Sequence, residues 1–121
     1  MEQFRIAYAR ADRDGLLAVT SADFCWHQHC SNHSEDRPTG RVLSGVDAMI
    51  EEIRRRQVHW QNVRYENLVE RATEDGLLVQ TFTISGEEDG VPFHANAVDL
   101  YPVEHGRIVR KDTYWKYTAG V

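Results

Sequence analysis

Residues 91–117, VPFHANAVDLYPVEHGRIVRKDTYWKY, hold two long extended runs joined by one short turn, and their reading decides the fold. Along a strand, alternate side chains share a face. Val91, Phe93, Ala95, Ala97, Asp99, Tyr101 and Val103 therefore lie on one side of the first run. Pro92, His94, Asn96, Val98, Leu100 and Pro102 lie on the other. The first side is apolar except for Asp99 and the amphipathic Tyr101. If that side lines an interior, Asp99 is a carboxyl group in an apolar wall, where loss of solvation favours the neutral acid. A neutral carboxylic acid can donate a hydrogen bond to a carbonyl oxygen and to the enolate that develops from it. The alternatives are an ion pair with Arg107 or Arg110, or a side chain turned to water.

Working back from this stretch, residues 63–72 and 77–85 also read as extended. The breaks EDG (74–76), GEEDG (86–90) and EHG (104–106) each contain a glycine that suits a hairpin turn. The first half of the chain reads differently. Phe4, Ala7, Tyr8 and Ala11 fall at helical spacing. Asp14 caps a second short helix over 15–21, with Leu16, Leu17 and Thr20 near one side. FCWHQH (24–29) is aromatic enough for a strand, and SNHSEDRPTG (31–40) is a loop. Ser44 and Asp47 fit a capping box ahead of the stripe Val46, Met49, Ile50 and Ile53, which predicts a third helix over 45–57. Helices first and a strand meander last give an α+β class, one domain over 1–121, with three helices packed on one face of a curved, mostly antiparallel sheet.

Composition narrows the partners. The 121 residues carry 14 basic and 19 acidic side chains, a net charge of −5, which argues against a nucleic-acid backbone. Arg54, Arg55 and Arg56 sit late in the third helix, where cations suit the helix dipole. No apolar run reaches signal-peptide or membrane-span length, so the expected location is the cytoplasm. Cys25 and Cys30 point to opposite faces of a continuous strand, which argues against a disulfide.

ADRDGLLAVTSADFCWH (11–27), SGVDAMIEEI (44–53) and AVDLYPVEHGRIVRKDTYWK (97–116) together resemble the NTF2-like superfamily, and more narrowly its SnoaL-like and ketosteroid-isomerase-like branch. The resemblance implies a cone-shaped barrel, a deep pocket between sheet and helices, and a homodimer. It places Asp99 on the oxyanion-hole acid of the branch. Phe4 stands where the branch has its oxyanion tyrosine, with Tyr8 one turn later, and Gln28 stands where it has its strand aspartate base. Neither Phe4 nor Gln28 can do the job of the residue it replaces. Thr113 falls on an inward polar position of the last strand, and Phe82, Tyr101 and Trp115 are candidate pocket walls.

CWHQHC (25–30) raises the remaining question. Regular alternation turns Phe24, Trp26 and Gln28 inward and Cys25, His27 and His29 outward. A bulge near Gln28 would instead bring His29 into the pocket, where a neutral imidazole is a good base near pH 7. A metal site on Cys25, His27 and His29 with His33 is strained by its span of about 13 Å along an extended strand, and no metal or cofactor is expected. His94 lies opposite Asp99 on its strand, and His59 and His105 lie near turns.

The leading expectation is an enzyme that moves a proton next to the carbonyl of a small apolar compound: an isomerase, dehydratase or cyclase. Asp99 and His29 are its catalytic pair, and Trp26, Gln28, Phe4, Tyr8, Phe82, Tyr101, Thr113 and Trp115 contact the substrate. The alternatives are a binding or dimerisation domain without catalysis, and a metal-dependent variant built on the histidine-rich strand.

Overall fold

The computed structural model describes residues 1–29 and 40–118. Cys30, His33 and most of the 31–40 loop lie outside the described residues, so the disulfide and His33 readings find no structural counterpart here. Helices α1 (Glu2–Ala9) and α2 (Arg13–Val19) lead into β1 (Thr20–His29). The short β2 (Arg41–Ser44), helix α3 (Gly45–His59) and strands β3 (Trp60–Ala72), β4 (Leu77–Glu88), β5 (Val91–Glu104) and β6 (Arg107–Tyr117) follow. The six strands form one curved sheet in the order β2-β1-β6-β5-β4-β3, open at its two edges. The β1–β6 pair is parallel and the others are antiparallel.

Local chemistry explains most of these elements. Asp12, and not the expected Asp14, caps α2: its carboxylate accepts from the Gly15 N–H at 3.1 Å. Ser44 begins α3 without a side-chain cap, and Asp47, its expected partner in a capping box, accepts from Arg13 at 2.6 Å. The predicted stripe Val46, Met49, Ile50 and Ile53 is the buried face of α3. It packs with Phe4, Ala7, Leu16, Phe24, Trp26 and Tyr101 to form the main core between helices and sheet. A second cluster, Ile84, Ala95 and Ala97 with Trp60, Phe82, Phe93 and Trp115 against it, continues the core along the sheet.

Two irregularities curl the far edge. Asn62 and Asn67 adopt left-handed backbone, with φ of 54° and 58°, where the β3–β4 register shifts. Asparagine tolerates that conformation better than most residues. At the first shift the β3 backbone presses on β4, and a Cβ at Gly86 would lie 3.1 Å from the Gln61 carbonyl oxygen. The curl carries Tyr65 and Leu68 of β3 to the wall of a cavity that also touches α1.

Register then sets the inner face. Gln28 pairs with Thr113, Thr113 with Asp99, and Asp99 with Gln80. One row of four buried polar side chains thus crosses β1, β6, β5 and β4 on the concave side. Such a row is costly unless every member finds a partner.

Candidate functional site

A cavity of about 340 Å³ lies between α1, the end of α3 and the concave sheet. Phe4, Tyr8, Trp26, Phe82, Asp99, Tyr101, Thr113 and Trp115 line it, as the sequence suggests, and Arg56, Tyr65, Gln80 and Lys111 join them.

Asp99 is at its centre and almost fully buried. The Thr113 hydroxyl donates to its Oδ1 at 2.6 Å and itself accepts from the Trp26 indole N–H at 2.8 Å. The Lys111 ammonium donates to Oδ2 at 3.2 Å and to the Tyr101 hydroxyl at 2.8 Å. That hydroxyl stands 3.4 Å from Oδ2 and 3.2 Å from Gln80 Oε1. The apolar wall expected around Asp99 is therefore corrected. Its face holds a buried lysine from the neighbouring strand, and that lysine pairs with Asp99. Neither expected arginine reaches it: Arg107 donates to the carbonyls of Leu17, Ala18 and Thr20, and Arg110 to Asp112. Burial works against the charge of Lys111, but Asp99 and the Tyr101 hydroxyl outweigh it and hold the ammonium above its usual pKa. The rings of Tyr8, Trp26 and Tyr101 surround that ammonium at 4.7, 5.1 and 5.1 Å.

Arg56 forms the second pole. Its guanidinium lies 4.3 Å from the Trp60 ring, 4.7 Å from Trp26 and 5.6 Å from Trp115. Its Nε donates to Glu52 Oε2 at 3.2 Å, and it is also hydrogen-bonded to the Tyr8 hydroxyl. Burial pushes Tyr8 up to about 12 against the pull of Arg56, so at neutral pH it stays protonated and can donate. Burial alone would raise the Glu52 carboxyl. Arg55, Arg56 and the Gln28 amide instead hold it down at about 2. Within the arginine cluster late in α3, Arg55 and Arg56 fold back onto Glu52.

Two expected site residues lie elsewhere. Gln28 faces inward, but its amide donates to Glu52 Oε2 at 3.2 Å, and it lines an adjacent cavity of about 640 Å³. His29 is on the other side of the sheet. From Cys25 to His29 the pairing with β6 is continuous, and the one register shift lies upstream, between Thr20 and Cys25. There is no bulge to turn His29 inward; its ring stacks on Tyr114 at 4.2 Å. Its assignment as the catalytic base is corrected on that ground. Lys111 and Arg56 are the residues that sequence reasoning passed over, yet both carried a signal. Lys111 shares the parity of Thr113 and Trp115, and Arg56 continues the stripe of Ile53 by one helical turn.

Residues 1–111 match the SnoaL-like domain family. The chain belongs to that family. Solved structures carry the same SnoaL-like architecture. An NTF2-like protein of Burkholderia xenovorans LB400 superposes with a TM-score of 0.76 at 19% identity, over 95% of this chain and 85% of that one. A protein of Xanthomonas campestris pv. campestris described as a candidate polyketide cyclase gives 0.67 at 17% identity, over 95% and 86%. A protein of ketosteroid isomerase-like fold from Catenulispora acidiphila DSM 44928, solved with trimethylamine, gives 0.68 at 16%, over 93% and 82%. A search of curated proteins returns no match. At these identities the likeness establishes the fold of the SnoaL-like domain, and the site's chemistry rests on its own residues. Among the described residues no helix is long and apolar enough to cross a membrane.

Proposed function

We propose that the Asp99 cavity binds a compact, largely apolar carbonyl compound and transfers a proton at the carbon beside the carbonyl. The observation that carries this is the Asp99–Lys111 pair, buried yet lining the cavity. A carboxylate offers about four lone-pair positions, and Thr113, Lys111 and Tyr101 engage three, leaving one for a substrate. In the proposed step the C–H bond breaks, the proton passes to Asp99, and the electron pair moves to the carbonyl oxygen as an enolate. Negative charge thereby shifts from Asp99 to an oxygen that Lys111 and Tyr8 can stabilise, so the same ammonium compensates it before and after. Return of the proton elsewhere gives isomerisation, expulsion of a β-substituent gives dehydration, and attack on a second carbonyl gives cyclisation.

The cavity supports the substrate class. Its volume is at the lower end of the roughly 300–1,000 Å³ of ligand pockets. Its walls are mostly apolar, and among the described residues Arg5, Arg56 and Lys111 face it against Asp99, three cations to one anion. Trp115, which lines it, has a buried indole N–H with no partner among the described residues. These features favour a ligand rich in oxygen acceptors on an apolar frame. The test is exchange of the α-protons of 2-tetralone into D₂O, followed by proton NMR. Asp99→Asn should slow enzyme-dependent exchange by more than about tenfold, or about 1.4 kcal/mol in the barrier; unchanged exchange in the folded variant refutes the proposal.

The three donors on Asp99 also favour a second reading, a ligand-binding domain whose ion pair is structural. Saturable binding of tetralone with no exchange in the wild type would select it. We also propose a homodimer, as the family resemblance implies; light scattering should give twice the chain's 14.0 kDa.

A further inference from the structure

We propose that the outer face of the β1–β6 pair is a binding site for one zinc-class divalent ion, held by His27, His29 and Asp112. The two histidines are two residues apart on the outward side of β1, so their rings project together, with centroids 3.9 Å apart. The parallel register sets Asp112 of β6 directly opposite His27. One ligand atom from each of the three lies within 4.8 Å of the others. Around a tetrahedral ion with bonds near 2 Å, ligand atoms are about 3.4 Å apart. Binding would therefore draw these ligand atoms together by up to about 1.4 Å.

The surroundings suit ligation. Arg110 donates from Nε to Asp112 Oδ2 at 2.8 Å, which fixes the carboxylate in the way outer partners orient metal ligands and leaves Oδ1 with lone pairs to give. The Asp112 side chain is 10% exposed and that of Arg110 is 44% exposed, so the buried carboxylate rests against a largely solvated cation. An ion would complete its compensation. His29 is oriented by stacking on Tyr114, their planes 2° apart. Two imidazoles and one carboxylate match zinc, cobalt or nickel and disfavour magnesium and calcium. This trio differs from the Cys25, His27, His29 and His33 set weighed from the sequence. The carboxylate comes from the neighbouring strand, which spacing along β1 could not reveal.

The ion would not take part in proton transfer at Asp99. Asp112 pairs with Leu100 and the adjacent Thr113 with Asp99, so the trio and the cavity are on opposite faces of the sheet. Its effect would be to clamp β1 to β6 across their parallel pairing.

The experiment uses untagged full-length protein stripped with chelator, then titrated with cobalt chloride by visible absorption and with zinc chloride by calorimetry. The expected result is one ion per chain, a cobalt spectrum of low coordination number, and a melting temperature raised by zinc. The His27→Ala/His29→Ala variant should weaken binding by at least about tenfold and lose the thermal shift. His29→Gln, a milder change at a half-buried position, should weaken it in the same direction if the double variant folds poorly. No saturable binding to the wild type, or undiminished binding to both variants, overturns the proposal.

Discussion

Replacing Lys111 by Met removes the cation that, among the described residues, pairs with the Asp99 carboxylate, and keeps the side chain's length. Lys111 and Asp99 have side chains 7% and 4% exposed, so solvent cannot take over the lost charge. Removing one partner of a buried pair costs about 3–5 kcal/mol, because the other charge is left uncompensated. A domain of 121 residues has roughly 6–18 kcal/mol to lose, at about 0.05–0.15 kcal/mol per residue. With a urea slope of about 2 kcal/mol per molar, the midpoint should fall by about 2 M, measured by tryptophan fluorescence. The double variant Lys111→Met/Asp99→Asn should recover much of that loss, since the orphaned charge is gone. A cost below about 1 kcal/mol, or a double variant as unstable as the sum of the singles, would show that the two groups do not interact as described.

Glu52 supplies an acid-side prediction. Its pKa is depressed from 4.5 to about 2, so its stabilising contribution is complete above about 4.5 and is lost as pH falls through 2. That is worth about 3 kcal/mol, and Glu52→Gln should flatten the melting temperature between pH 5 and 2. Trp115→Phe removes a buried donor that has no partner among the described residues; it should leave stability within about 1 kcal/mol, checked by urea melts, but weaken tetralone binding. Tyr8→Phe should slow α-proton exchange by about tenfold or more, because a hydrogen bond to the developing oxyanion is lost, and should cost about 1–2 kcal/mol of stability in urea melts through the lost Arg56 bond. Chelation of metal should leave exchange unchanged, because the histidine trio and the cavity are on opposite faces of the sheet.

The periodicities carried the architecture because burial obeys them. The α3 stripe and the β5 alternation around Asp99 appear in the structure as the residues that are buried. β2 escaped notice because four residues, three of them exposed, give no alternation to read. The cap of α2 moved because Asp12 and Asp14 are equally able to cap, and the backbone geometry chooses. The site was legible by face and not by partner. Parity put Asp99, Thr113 and Trp26 on the inner side, but strand order decides which side chains meet. Lys111 reaches Asp99 because β6 is hydrogen-bonded to β5 and β1 together. The same adjacency brings Asp112 to His27, a pairing that no spacing within one strand encodes.

The most direct test of the central claim is wild-type catalysis of α-proton exchange in 2-tetralone, compared with Asp99→Asn and with Asp23→Asn, an exposed carboxylate change on β1. Acceleration by the wild type and by Asp23→Asn, with a loss of more than about tenfold in folded Asp99→Asn, is the predicted result. Equal exchange rates in all three proteins would contradict it.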